Sequence, residues 1–426
     1  MKKNFNIAII GFGNIGSYFY KILKKNKNAI TIKTGKTPVI KYISVKNFRK
    51  KRNISIPKNK LIKDPILATK DKNIDLVVEL IGGSDGIAKK VVYSSLKNKK
   101  HVITANKALM AKHGDYLSKI AEKSKVNLEY EASVAGGVPV IRSIKEGLVA
   151  NKIKKIYGIL NGTTNYILSE MEKTGKNFQE VLSNAKKLGY AENNPISDLN
   201  GSDAAAKIKI LSSIAFNKTI SENKILTEGI QNLEQIDIFH AKNLGYKIKL
   251  LAISEIANNR LIERVHPCLV LKSSYIANVD GVLNAVIIDG YPVGRSVIQG
   301  QGAGPGPTTS ALISDLCSIL RGNIKYPFGI PNSKRNKIKS YDLNNYENSL
   351  YIRFEVKDKQ GVLSQITKNL ANNKISIQRL IQIPNNKNKT ASIVIITHAT
   401  KQINSDKCLR SLQKNKNVLK KPVLLR

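Results

Sequence analysis

The sequence predicts an α/β protein: helices wrapped around a parallel sheet, then an α+β unit, then a small βαββαβ unit. Three observations lead there. Short apolar strand patterns alternate with helical periodicity through the first 130 residues, as in a sheet of parallel strands joined by crossover helices. Near residue 150 the alternation stops, and long helical stretches mix with β-rich runs. Beyond a polar stretch at 332–348, the tail reads strand, helix, strand, strand, helix, strand, the order of a duplicated βαβ unit.

In chain order, Asn6–Ile10, Val39–Val45, Asp75–Leu80, His101–Thr104 and Val126–Tyr130 are expected as strands. Asn14–Lys25, Ile87–Lys97 and Gly114–Ser124 are the helices between them. In the second unit Asn165–Lys173, Asn177–Leu188 and Ser202–Ala215 read as helices, and Lys152–Leu160, Leu261–Lys272 and Ala285–Asp289 as strands. This divides the chain into 1–150, completed by about 301–325, then 151–300, a linker at 326–349, and a tail unit at 350–426.

Composition narrows the function classes. A chain of 426 residues with 42% hydrophobic content has enough material for two or three globular domains. No apolar run approaches the roughly 20 residues of a membrane-spanning helix. The three cysteines, Cys268, Cys317 and Cys408, form no CxxC pair, which argues against a disulfide framework and fits a reducing cytoplasm. The net charge of +41 would suit a nucleic-acid partner. The lysines, however, are spread through the whole chain with few interleaved aromatics, so the charge reads as compositional drift and no specific nucleic-acid partner is expected.

GFGNIG, Gly11 to Gly16, is a G-x-G-x-x-G that follows an apolar strand and opens a helix. That context makes it a dinucleotide fingerprint of a Rossmann-type unit. Gly11 serves the tight turn, Gly13 the close approach of a pyrophosphate and Gly16 the helix–strand contact, and the helix N-terminus offers its unpaired N–H groups to the anion. After the second strand an NAD-specific site would carry an acid for the ribose hydroxyls. Here the stretch from Ser44 to Arg52 has no acid and five cations, Lys46 first among them. A 2′-phosphate would suit them, favouring NADP over NAD, although a lysine-rich chain shows such runs anywhere.

GYAENNPISDLNGSDAAAKIKIL, Gly189 to Leu211, gathers Glu192, Asp198 and Asp203 at the start of a helix. Lys207 follows Asp203 at i, i+4, on the same face. Carbonyl reduction needs a hydride donor and a group that protonates or stabilises the oxygen. An ammonium held by a carboxylate meets that need, and the acids could hold a substrate ammonium. The same spacing also describes an ordinary solvated surface bridge.

That stretch is similar to the signature of homoserine dehydrogenases. VVELIGG, VITANKALMAKHG, YEASVAGGVPVI, GILNGTTNYIL, RVHPCLV and GQGAGPGPTTSALISDL follow the same family in the same order, over residues 1 to about 325. The resemblance implies NAD(P)H-dependent reduction of L-aspartate 4-semialdehyde to L-homoserine, a step toward threonine, methionine and isoleucine. It implies Lys207 as proton donor, Asp203 orienting it and contacting substrate, and Glu192 holding the substrate's amino group with Asp198 beside it. It places Lys107 beside nicotinamide and substrate, Asn14 and Ile15 among the glycines that cradle the cofactor, and Gly302 returning to the cofactor ahead of a helix opened by Pro307 and Thr308. It also implies a monovalent cation, usually sodium, on backbone carbonyls at Glu131, Val134, Gly136 and Val138, and a homodimer or homotetramer. Where the family commonly carries Arg-Asp, this chain has Lys46-Asn47, which weakens the inference on the cofactor. LYIRFEVKDKQGVLSQITKNLANNKISI, Leu350 to Ile377, resembles the start of an ACT domain, a regulatory fold whose turn at Asp358 and Gly361 would take an amino acid, L-threonine being the effector to expect. Two rivals stay open: a thioester-forming semialdehyde dehydrogenase, which needs a reactive cysteine, and a Rossmann-type regulator that senses NADPH or binds nucleic acid.

Overall fold

The structure is a computed structural model describing residues 4–48, 54–221, 225–385 and 388–426. Its first sheet has six parallel strands in the order Leu61–Ile62, Thr37–Ser44, Asn4–Ile10, Leu76–Glu79, His101–Thr104 and Leu128–Glu129. The order reverses beside Asn4–Ile10, the place where open α/β sheets form a crevice at their carboxyl ends. Ile7, Ile9 and Ile10 are fully buried, as expected of a strand covered on both faces. Helix Asn14–Lys25 turns Phe19, Tyr20 and Leu23 inward, each burial worth about 1.5–3 kcal/mol.

The helix expected from Gly114 starts two turns earlier, at Lys107. Asn106 caps it, its Oδ1 accepting the Leu109 N–H at 3.0 Å. Gly114 is an interior position where an added Cβ would meet the Phe328 ring at 2.9 Å, so its glycine serves helix packing and does not mark the helix start.

The central sheet runs Gly294–Gln301, Leu283–Tyr291, Lys152–Ile159, Tyr246–Ala257, Arg260–Leu271 and Leu226–Thr227. Its neighbours are antiparallel except the last pair. Helices Gly162–Thr174 and Ser202–Ala215 pack on one face, with Ile156, Val286 and Ile288 in the shared core. Ile159, Leu251, Ile253, Ala285 and Ile287 form a second core on the other face.

Helix Pro305–Leu320 then returns to the first sheet, placing Leu312, Leu316 and Ile319 against Ile7, Ile9 and Phe19. It opens at Pro305, earlier than the expected Pro307, because proline is favoured in a first turn that has no N–H partner to lose. The polar 332–348 stretch is anchored. Arg335 is buried and donates to Ser213 Oγ at 2.6 Å and the Lys218 carbonyl at 2.8 Å, and it pairs with Asp115 at 2.7 Å.

The C-terminal sheet is antiparallel, in the order Ile377–Asn385, Thr390–Thr397, Tyr351–Lys357 and Val423–Leu425. Helices Val362–Asn372 and Gln402–Gln413 contribute Ile366, Leu370, Cys408 and Leu412 to its core. On its other side Tyr351, Val394, Val423 and Leu425 belong to the central core. Among the described residues no helix is long and apolar enough to cross a membrane.

Candidate active site

The glycine turn has the form the motif predicts. Gly11 sits at φ +101°, where a Cβ would meet the Leu80 carbonyl oxygen at 2.6 Å. A Cβ on Gly16 would collide with the Gly11 carbonyl, whereas one on Gly13 would meet nothing within 4 Å. Gly13 and Asn14 are exposed and Ile15 half-buried, and among the described residues no side chain caps the helix. The open backbone at Gly13 and the free helix N-terminus fit a pyrophosphate. Lys46 is exposed just beyond strand Thr37–Ser44; Arg49, Lys50, Lys51 and Arg52 lie outside the described residues.

A chain of polar contacts runs from this turn to the acids. Buried Glu79 accepts the N–H groups of Ile81 at 2.7 Å and Gly82 at 3.1 Å, and the Thr104 hydroxyl at 2.6 Å. Asn106 Nδ2 donates to the Gly83 carbonyl at 2.7 Å. The loop after Leu76–Glu79 is thereby tied to the start of helix Lys107–Ser124, whose first residue reaches across to the central unit. Lys107 Nζ pairs with Asp203 Oδ1.

Helix Ser202–Ala215 has the bounds the sequence predicts. Lys207 Nζ lies 2.7 Å from Asp203 Oδ2 and donates to the Leu160 carbonyl at 2.6 Å. Asp203 is 4% and Lys207 9% exposed, which removes the solvated-bridge reading. Burial pushes the Asp203 carboxyl up, but the Lys207 and Lys107 ammoniums outweigh it and hold the group well below the usual carboxylate range. Burial likewise opposes charge on Lys107, and Asp203, with Asp198 and Glu192 further off, reverses that and raises its pKa.

Two residues the sequence reading missed organise the acids. Asn161 Nδ2 donates to Asp198 Oδ1 at 2.8 Å and Asp203 Oδ2 at 2.9 Å, while its Oδ1 caps helix Gly162–Thr174 at Thr164 N, 2.9 Å. The Thr163 hydroxyl reaches the Tyr190 carbonyl at 2.7 Å and Asp198 Oδ2 at 3.3 Å. Asparagine before GTT is a readable cap signal; its second task, bridging two acids about 40 residues away, is not. Glu192 stays exposed at the rim.

The turn at Glu131, Val134, Gly136 and Val138 is buried. The Glu131 carboxylate accepts the N–H groups of Ile141 at 2.9 Å and Arg142 at 2.7 Å; burial lifts its pKa to about 7 against these bonds. Ala135 and Gly136 both have positive φ, and among the described residues no backbone donor meets the carbonyls of Val134 or Gly136. The Glu131 and Val138 carbonyls already accept the N–H groups of Val134 at 3.3 Å and Val140 at 2.8 Å, so of the four expected ligands Val134 and Gly136 are the ones whose carbonyls suit a hard monovalent cation. Among the described residues no group of three His, Cys, Asp or Glu side chains could hold a metal. Gly302 abuts this turn, its carbonyl filling the space a Gly136 side chain would need.

The thiol enzyme has no nucleophile here. Cys268 is buried, its pKa pushed up to about 12 by desolvation, and burial also raises Cys317 and Cys408. His266 is a core residue as expected, with burial holding it neutral and Nδ1 beside the Cys268 sulfur at 3.2 Å. Among the described residues its Nε2 meets no partner.

Comparisons with known proteins agree with this geometry. The family model for homoserine dehydrogenase matches residues 139–317, and that for the homoserine dehydrogenase NAD binding domain matches residues 11–131. A homoserine dehydrogenase of Neisseria gonorrhoeae is 40% identical over 93% of this chain and 92% of its own length. One of Helicobacter pylori is 37% identical over 100% and 99%. A crystal structure of a homoserine dehydrogenase from Thiobacillus denitrificans superposes with a TM-score of 0.92 at 36% identity, covering 100% of this chain and 98% of that one. The chain therefore belongs to the homoserine dehydrogenase family, NAD(P)-dependent oxidoreductases with a Rossmann-like nucleotide domain and a catalytic domain.

Proposed function

We propose that the chain interconverts L-aspartate 4-semialdehyde and L-homoserine, in the biosynthesis of threonine, methionine and isoleucine, with Lys207 facing the reacting oxygen. The carrying observation is the Lys207 ammonium held between Asp203 and the Leu160 carbonyl, where the nucleotide unit meets the central one. Bound nicotinamide supplies the hydride, or takes it in the reverse direction. Lys207 stabilises the developing alkoxide and delivers its proton. Asp203 keeps that ammonium in place, Lys107 closes the site from the nucleotide side, and Asp198, Asp203 and rim Glu192 attract the substrate ammonium.

In the same reading residues 1–150 with 301–325 form the nucleotide domain and 151–300 the catalytic domain, joined through 326–349 to a regulatory domain at 350–426. Gly11, Gly13, Asn14, Ile15, Gly16 and Gly302 cradle the cofactor, and Lys46 favours NADP over NAD. The Val134–Val138 turn with Glu131 takes Na+. The βαββαβ order of the C-terminal sheet supports an ACT domain, with L-threonine at the Asp358–Gly361 turn. The outer strand Gly294–Gln301 and its hairpin leave Tyr291, Val293 and Val297 exposed, which supports a homodimer or homotetramer through the central sheet of a cytoplasmic enzyme. Homoserine-dependent reduction of NADP by the purified protein, faster than that of NAD, slowed by threonine and dependent on Na+ or K+, is the expected result. No homoserine-dependent reduction of either nucleotide would overturn the reading.

A further inference from the structure

The substrate acids stand on a turn that something must hold still. Asp198 and Asp203 flank Leu199–Gly201, and the segment from Leu226 to Asp237 presses on that turn from behind. The Ile230 N–H donates to the Leu199 carbonyl at 2.9 Å. Gly229 lies so close to that carbonyl and to Asn200 Cα that no side chain fits. On the other flank a Gly201 side chain would meet Thr227 and Val265 at 3.2 Å.

Both ends of this strap are gripped by the C-terminal unit. At one end the Arg426 guanidinium, buried at 2% exposure, pairs through Nη1 with Glu228 Oε2, while its Nε and Nη2 donate to Gln402 Oε1 at 3.3 and 3.2 Å. The Arg426 carbonyl also accepts the Leu269 N–H at 3.0 Å, fixing it to strand Arg260–Leu271, and the Glu228 N–H is bonded to that strand at Val265. At the other end Asp237 accepts Arg353 Nε at 2.6 Å, Arg353 Nη2 at 3.0 Å and the Tyr351 hydroxyl at 2.8 Å.

We infer that Glu228 and Arg426 are positioning residues for the substrate: they hold the 226–237 strap against the Asp198–Asp203 turn and make the C-terminal unit part of the substrate site's support. This rests on the reading that Asp198 holds substrate. Displacing the turn would weaken homoserine binding without touching the nucleotide turn, which lies on other elements. The test uses the full-length enzyme with Glu228→Gln, Arg426→Ala and Arg426→Lys. Asn369→Ala, which removes an exposed hydrogen bond to Ser411 between the two C-terminal helices, is the control, and Asp198→Asn the reference.

The expected result is a rise of about fivefold or more in KM for homoserine in Glu228→Gln and Arg426→Ala, with kcat within about twofold. NADPH Kd by fluorescence titration stays unchanged, Arg426→Lys recovers part of the loss, and Asn369→Ala matches wild type. Two results overturn the inference: a homoserine KM near wild type in both variants, or KM and NADPH Kd rising together, which would mean general loosening. If Asp198→Asn also leaves KM unchanged, the substrate reading fails; if it alone raises KM, only the strap inference does.

Discussion

Asp237 and Asp203, two of the buried carboxylates that cations hold, behave differently. Asp237 is fully buried and saturated: two guanidinium nitrogens, the Tyr351 hydroxyl and the Glu234 N–H at 2.9 Å occupy its oxygens. Arg353 is rigid and planar, matched to a bidentate acceptor, and the cluster has no open side. Asp203 is almost as buried, yet its partners are two lysines and Asn161, and Lys107 keeps 44% of its side chain exposed. Lysine is a flexible point charge with three donors, so Lys207 holds Asp203 and the Leu160 carbonyl with a third donor that meets no partner among the described residues. The first cluster locks two units together; the second is a charged group facing an opening. Burial of an ion pair alone does not separate a lock from a site. Unfilled donor capacity and one exposed partner do.

Breaking each cluster should separate them further. The largest effect is expected from Lys207→Ala: kcat falls on the order of 10³-fold, while NADPH Kd by fluorescence titration stays near wild type. Near-normal turnover would remove Lys207 from the chemistry. Asp237→Ala should act on stability, costing about 3–5 kcal/mol in urea unfolding because Arg353 is left buried with only half-exposed Glu234, at 3.4 Å, as a carboxylate partner. Activity per folded molecule changes far less than in Lys207→Ala; the reverse pattern would erase the distinction between the clusters.

Asn161→Ala is intermediate, losing the helix cap, about 1 kcal/mol, and the bridge between the two acids. An expected drop of about tenfold in kcat/KM for homoserine would be read against thermal unfolding of the same protein. A loss of stability with unchanged kcat/KM would reduce Asn161 to a cap.

The smallest effect sharpens the contrast with a group buried neutral. Burial depresses His101 from 6.5 to about 4, and its Nδ1 accepts the Asn127 N–H at 3.1 Å. Its folded pKa lies below its unfolded one, so between those values the unfolded chain binds more protons. Its contribution is complete above about pH 6.5 and declines as pH falls toward 4, with a slope of at most about 1.4 kcal/mol per pH unit. Unfolding free energies of wild type and His101→Gln measured across pH 4–7 should converge toward the acid end. Parallel curves would count against it.

Much of this was legible in the sequence, for physical reasons that differ by element. Helices Asn14–Lys25 and Ser202–Ala215 have the bounds read from periodicity, because a glycine stands just before each and ends the preceding strand or turn. Strand Tyr246–Ala257 was not anticipated. Lys249 breaks its apolar pattern, yet is buried at 1% exposure because Asp280 at 2.7 Å, the Val279 carbonyl at 2.7 Å and Asn165 at 3.1 Å satisfy it from distant positions. No local rule anticipates that. In the site, the Asp203–Lys207 pair was readable from its spacing, whereas Lys107 was reached only through family resemblance: its meeting with Asp203 depends on how two sheets sit against each other.

The most direct measurement is a double-mutant cycle in homoserine-dependent reduction of NADP, comparing Asp203→Asn, Lys207→Ala and the pair. If the carboxylate works by holding the ammonium at the reacting oxygen, the double variant is about as slow as Lys207→Ala alone. Rate losses that multiply would mean that the two groups act independently, contradicting the account.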